Sequence, residues 1–469
     1  MTVHRFKRST YWIGGANSPG KYFPVAVAAR KAGIFDLTGC WDKAEKLYSR
    51  NLEVSAEAGS KYWEAESHYC LGKVMRYKGR FADSLVHLKR AEELFLQFDD
   101  QRGAVMAVGV RGGVFAEQGD YPAAIECFER KKEWAEQNGD LMELADSWGS
   151  LGVVHTEKRM ISDALDCFQK QLAIARQIGD LQGLSIVNGN IGNIYLFQNS
   201  LEAAAEYYSK QKDLAELIGD KRSLCVVSCN LGLLYKYQGQ QEKALDRFLN
   251  GLKPAQEIGF TRAISSITGN LGTIYQNMGQ WEKARVNLMQ QLEISQAIND
   301  LQGLVTANAN LNTLEWLTGN TGKAWEHINS AISLSERHGF DDKLVICLNI
   351  AAGQKLMRRI AVEAEKYAAK ALDLSKKRDD KEETARASMI IASARVLSGD
   401  MGGMVELSRY AAGELGDELK YESQAMLYLC TGRREYLAKA KSLSETLYQK
   451  TKDIAFRINY SNLEAMTQP

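Results

Sequence analysis

Residues 188–220 read NGNIGNIYLFQNSLEAAAEYYSKQKDLAELIGD, and residues 228–260 read SCNLGLLYKYQGQQEKALDRFLNGLKPAQEIGF. Laid over each other at an offset of 40, they share one pattern. Gly192 falls on Gly232, Asn199 on Gly239, Ala204 on Ala244, Tyr208 on Phe248 and Gly219 on Gly259. The register extends both ways. A small residue recurs at Ala32, Gly72, Gly112, Gly152, Gly192, Gly232 and Gly272, and the slot continues as Asn312, Ala352 and Ala392. Seven residues on comes a turn slot: Gly39, Gly79, Gly119, Arg159, Asn199, Gly239, Gly279, Gly319, Arg359, Gly399. A fixed period of this length marks a repeat architecture, in which each unit is one supersecondary element stacked on its neighbours.

Each slot has a physical reading. Glycine inside a helix costs about 1 kcal/mol against alanine, so Gly192 and its equivalents imply that another helix comes close. The turn slot ends the first helix with a left-handed cap. Ala204 and Tyr208, four residues apart, lie on one face of a second helix. The Gly-Asp pairs at Gly139, Gly179 and Gly219 end that helix, and the aspartates are placed to cap the next one. Each unit is therefore a helical hairpin, helix A before the turn slot and helix B after it. The expected fold is all-α: a right-handed superhelical solenoid of about ten hairpins over residues 22–418. A flexible basic arm is expected before it (residues 1–21), and capping helices near 418–431 and 434–451, with a tail, over residues 419–469.

Composition agrees. Only 5 prolines occur in 469 residues, as long helices require. Lys+Arg number 59 and Asp+Glu 58, so no net field gathers nucleic acid or anionic lipid. No apolar run approaches the length of a transmembrane helix, so none is expected, and no signal peptide is expected either. The 8 cysteines form no CxxC pair and sit among apolar residues, which fits a reducing, cytoplasmic compartment. Neither the 6 histidines nor Cys225 and Cys229 show metal-ligand spacing. Gly-x-Gly strings such as Gly189 to Gly192 fall inside helix A and follow no strand, so no dinucleotide site is expected. No phosphate loop or nucleophile elbow is present. The expectation is a non-enzymatic chain with no cofactor and no metal.

The slots resemble the tetratricopeptide repeat family. Trp148, Leu151 and Gly152, then Leu231, Gly232 and Tyr235, and the pairs Ala124–Phe128, Ala164–Phe168 and Ala244–Phe248 carry the likeness. The unit of 40 residues, with Gly-Asp in place of the closing proline, is similar to the Pins (partner of Inscuteable) subgroup, as is Asn190-Ile191-Gly192-Asn193-Ile194-Tyr195. The resemblance implies a scaffold that takes a peptide or helix of another protein on a concave, helix-A-lined face. Repeats of this period also occur in bacterial signalling proteins and in eukaryotic ciliary proteins. A subunit of a ciliary or cytoskeletal assembly, or a sensor acting on a separate signalling enzyme, are the alternatives.

Four asparagines in register, Asn190, Asn230, Asn270 and Asn310, are the most specific candidates for partner contact. Asparagine is a mediocre helix former, and its carboxamide suits the backbone of an extended peptide. Bracing of the stack is the competing role. The resemblance adds Asn193. The slot before the asparagines (Gly109, Gly149, Gly189, Cys229, Gly269, Ala309) either opens room for a ligand or packs tightly. Phe197, Tyr237 and Trp316 near the ends of helix A are candidate aromatic anchors. Lys236, with Lys73 and Arg76, is a candidate for an acidic partner segment.

Overall fold

The structure, a computed structural model, describes residues 23–37, 41–413 and 416–465. The expected N-terminal arm lies outside these residues, as do Gly39 and Cys40. All the regular elements described are helices. In chain order they are α1 (Phe23–Leu37), α2 (Trp41–Glu57), α3 (Lys61–Tyr77), α4 (Phe81–Gln97), α5 (Gln101–Glu117), α6 (Tyr121–Asn138), α7 (Leu141–Glu157) and α8 (Ile161–Gln177). Next come α9 (Leu181–Phe197), α10 (Leu201–Ile218), α11 (Lys221–Tyr237), α12 (Gln241–Glu257), α13 (Thr261–Asn277), α14 (Trp281–Ala297), α15 (Leu301–Leu317) and α16 (Thr321–His338). The last are α17 (Asp341–Met357), α18 (Ala361–Lys377), α19 (Lys381–Leu397), α20 (Gly402–Ala412), α21 (Asp417–Thr431), α22 (Arg434–Thr451) and α23 (Ala455–Ala465). Odd-numbered helices through α19 are helices A of the ten hairpins, and even-numbered ones through α20 are helices B. A tail was expected after Thr451, but residues from Ala455 form a further helix, for a reason given with the site below.

Backbone geometry shows why the chain turns where it does. Every turn slot among the described residues has positive φ, including the non-glycine positions Arg159, Asn199 and Arg359. The slot that ends helix B does the same at Gly59, Asp99, Gly139, Gly179, Gly219, Gly259, Asn299, Gly339 and Asp379. At Gly139 the amide N–H bonds the Glu136 carbonyl and that of Asp140 bonds the Ala135 carbonyl, which satisfies carbonyls the helix end would orphan. Asp140 then caps α7, accepting from the Glu143 amide at 3.2 Å, and Asp100 caps α5 from Gly103 at 2.8 Å.

Contacts divide the described residues into two compact units: those up to 191 with 256–261, and 192–255 with those from 262 on. In the first, α3 to α8 pack consecutively around cores such as Leu88, Phe95 and Val114, then Phe128, Leu151 and Val154. In the second, the same stacking runs from Tyr208, Val227 and Leu234 to Leu288, Leu311 and Leu314, and on through Ile328, Leu344 and Leu348. A last core joins α17 to α19 with the C-terminal helices through Leu356, Ile390, Tyr428 and Leu463. The glycine slot is the close approach itself. A Cβ on Gly152 would stand 2.6 Å from the Phe168 ring, and one on Gly232 2.6 Å from the Phe248 ring.

Candidate functional site

The helix-A slot before the asparagines is filled from helix B. A Cβ on Gly149 would meet the Gln171 amide at 2.6 Å, one on Gly269 the Gln291 amide at 2.5 Å, and one on Gly109 the Lys131 stem at 2.9 Å. Gln171, Gln211, Gln291 and Lys131 are all buried. Where helix A carries the larger Cys229, helix B carries Gly251. Tight packing therefore holds at Gly109, Gly149 and Gly269, and the space the sequence left open for a ligand is occupied by these long polar stems. Their spacing was visible in the sequence, but glutamine on a helix carries no signal of burial by itself.

The asparagines are placed unequally. Asn230 is buried, and its Nδ2 donates to Gln211 Oε1 on α10 at 3.3 Å, a contact within the stack. Asn190, Asn270 and Asn310 are half-buried. Asn193 is exposed, and its Oδ1 accepts from the Tyr208 hydroxyl at 2.8 Å. Phe197 and Tyr237 stand in the last turns of α9 and α11, 59% and 61% exposed, and Val226 on α11 is exposed as well. In this second unit Phe197 and Tyr237 thus present aromatic side chains to solvent at equivalent positions of two helices A.

Lys236 is half-buried and donates to Thr273 Oγ1 on α13 at 3.2 Å. Burial holds its ammonium below the usual lysine range, against the attraction of Asp453. That aspartate belongs to the corner between α22 and α23, which crosses the ends of α11 and α13. The Ile454 amide donates to the Asn277 carbonyl at 3.0 Å, and Gln241 Nε2 to the Thr451 carbonyl at 2.7 Å. Gly239 lies against the Lys450 carbonyl, and Ile454 packs on Gly279. The corner lets the residues after Thr451 continue as α23 over α15 and α21. Sequence reading missed Gln241, Asn277 and Ile454, because the C-terminal segment lies outside the repeat and no slot relates it to what it touches.

Several charges of the first unit are paired within it. Arg76 binds Glu117 at 2.9 Å, and Arg102 binds Asp140 at 2.9 Å and Glu143 at 3.1 Å. Lys131 also reaches Glu143, at 3.0 Å, and Asp146; burial opposes its charge, yet these two carboxylates hold the ammonium above the usual lysine range. Lys73 lies over the Tyr69 ring at 5.8 Å. Arg76 is thus engaged by its own chain. The cysteines are free where described, and burial pushes the Cys229 thiol up to about 12, far from a nucleophile's range.

Trp316 is half-buried and lines a cavity of about 490 Å3 together with Asn312 and Leu317, between helices A of the last repeats and the C-terminal helices. Asn312 and Gln354 form a reciprocal amide pair there, with Nδ2 to Oε1 at 3.2 Å and Nε2 to Oδ1 at 2.9 Å. Among the described residues there is no group of three or more potential metal ligands, and no helix is long and apolar enough to cross a membrane.

Comparison with known proteins agrees with this architecture. The family model for the tetratricopeptide repeat matches residues 187–216. No curated protein matches the sequence. Among solved structures, a Rap protein complexed with competence and sporulation factor is similar at a TM-score of 0.52 and 17% identity, over 77% of this chain and 99% of that one. The apo form of the quorum sensor NprR from B. thuringiensis is similar at 0.48 and 16%, over 71% and 96%. Yeast Tom70 is similar at 0.43 and 13%, over 95% and 96%. The tetratricopeptide-repeat model thus matches one stretch of the chain, and the fold of stacked helical hairpins is similar to that of the Rap protein.

Proposed function

We propose that this chain is a non-enzymatic scaffold that binds a peptide or helix of a partner protein on its helix-A face. The observation that carries the reading is the exposed pair Phe197 and Tyr237 at equivalent positions of successive helices A, with Val226 exposed on the same helix as Tyr237. Large rigid side chains held on a helical frame lose little freedom on binding and serve as anchors. The Rap protein of similar fold is complexed with competence and sporulation factor, which supports a binding role on this architecture. Asn190, Asn193, Asn270 and Asn310 are proposed as polar contacts beside the anchors, and Asn230 as a brace for the row. Lys236 and Trp316 belong to stretches the chain's own C-terminal helices approach, and a partner reaching them meets those helices too.

The helix-B face favours a second reading, a structural subunit held by its outer surface. Leu217, Val286 and Val362 stand there 72%, 65% and 79% exposed. Affinity purification of cross-linked complexes separates the two. The double variant Phe197→Ala, Tyr237→Ala should lower recovery of the principal partner by about tenfold, the scale of one lost hot spot. Val286→Ser should leave it unchanged. Loss through Val286→Ser with full recovery by the double variant would transfer the function to the outer face.

A further inference from the structure

The cavity lined by Trp316 has an unbalanced floor. Glu383 on α19 and Glu418 and Glu422 on α21 line it, with Arg386 as the one cation among its lining residues. The guanidinium is shared out. Its Nε reaches the two Glu422 oxygens at 3.1 and 3.0 Å, one Nη donates to Glu383 at 2.5 Å, and the other stands 3.5 Å from Glu418 and 3.3 Å from Glu382 outside. Three carboxylates against one guanidinium leave the lining two negative charges in excess. Burial pushes the Glu418 carboxyl up, and repulsion from Glu422 adds to this.

A second observation points the same way. Asn349 on α17 lines the same cavity and is only 3% exposed. Its Nδ2 is used, donating to Glu383 Oε2 at 2.7 Å, but its Oδ1 has no hydrogen-bond partner. A buried acceptor left without a donor keeps its desolvation cost uncompensated, so such groups are normally satisfied. Beside the amides of Asn312, Gln354 and Asn459, the wall carries an apolar part with Trp316, Ile390, Met426 and Leu429. The volume is in the range of ligand sites rather than of packing defects.

We propose that this cavity is a binding site for a peptide segment carrying one arginine or lysine beside a bulky apolar residue. The inference rests on the reading of the chain as a binder of partner segments and names the chemistry of one such segment. The cationic head takes the place beside Glu418, where the guanidinium of Arg386 is farthest. A backbone N–H satisfies Asn349 Oδ1, and the apolar side chain fills the space between Trp316 and Met426. Charge of one sign in a partly desolvated cavity makes the recognition selective for that head.

The test is fluorescence anisotropy of the full chain with a fluorescein-labelled hexapeptide, Gly-Leu-Arg-Leu-Gly-Ser, and its counterpart with norleucine for arginine. Saturable binding is expected, weakened about tenfold by norleucine and about tenfold by Glu418→Gln, the loss of one charge-assisted contact. Glu418 is chosen because Glu422 and Glu383, the closer partners of Arg386, remain. A photo-leucine version of the peptide should cross-link to Trp316, Met426 or Leu429, which reads the location even if Glu418→Gln alters the fold. Equal affinity for the two peptides, no saturation up to roughly 1 mM, or cross-links confined elsewhere would overturn the proposal. The Phe197→Ala, Tyr237→Ala experiment reports on the other face position. If partner recovery depends on that pair while the hexapeptide fails, only the cavity assignment falls.

Discussion

At the scale of single residues, the same amino acid has opposite roles at two helical positions. Gly232 is held against the Phe248 ring, where a Cβ would come within 2.6 Å. Gly353 lies inside α17 with nothing within 4 Å of a Cβ. Alanine is better than glycine in a helix by about 1 kcal/mol. Gly353→Ala should therefore raise the melting temperature. Gly232→Ala gains the same propensity but must push an aromatic ring out of a buried site, and overpacking of this kind costs about 1–3 kcal/mol. Its melting temperature should fall below wild type. Thermal unfolding followed by circular dichroism checks both, and a rise in both would remove the close-approach explanation of the repeated glycine.

At the scale of elements, the hairpin α3–α4 is closed in part by two histidines. His68 Nδ1 and His87 Nδ1 lie 2.9 Å apart, so one ring must be neutral to accept from the other. Burial, and then the neighbouring His87, lower the His68 pKa from 6.5 to about 4; Glu64 opposes this and Arg90 adds to it. His87 is lowered as well, by burial first, with Asp83 and Glu45 opposing and Arg80 adding. The unfolded chain then binds more protons than the folded one between these values. The stability due to the neutral pair is present above pH 6.5 and is lost as pH falls through about 4. In His68→Asn the fall of melting temperature over that interval should be shallower than in wild type. An unchanged slope would mean the pair does not titrate as described.

Elements were also where the sequence was most legible. Hairpin length, turn positions and the glycine–aromatic contact all follow from steric rules that act within one period, so the 40-residue comparison exposes them. The left-handed φ at Arg159 and Arg359 could be placed by register alone, although arginine rarely adopts it. The candidate site was less legible. Whether Asn230 faces a partner or Gln211 depends on a rotation of the helix that a periodic pattern leaves open. The cavity floor was illegible, because Glu383 and Glu422 come from separate helices that no shared slot relates. Tertiary contact between unlike segments leaves no period to read.

At the scale of the molecule, the second unit is closed by contacts spanning much of its chain. Gln241 bonds the Thr451 carbonyl across 210 residues, and the Ile454 amide bonds the Asn277 carbonyl. Hydrogen bonds to main-chain carbonyls tie this corner down, and an element held so opens at lower free energy than the core. Gly239 is its tightest point: φ is 70° there, and the Lys450 carbonyl occupies the direction a Cβ would take. Gly239→Ala therefore meets both a strained backbone and a collision with main chain, which unlike a side chain has no rotamer to retreat into. The corner should lift while the stacked hairpins persist. Hydrogen exchange read by mass spectrometry should show peptides covering 450–458 losing protection, with the core of α15 and α17 unchanged. The Lys236 ammonium would then regain water, so its titration should move back up toward the ordinary lysine range, reversing the burial that lowers it. Loss of protection spread evenly over the second unit would instead make the corner an integral part of its fold, and unchanged protection at 450–458 would remove the close contact at Gly239.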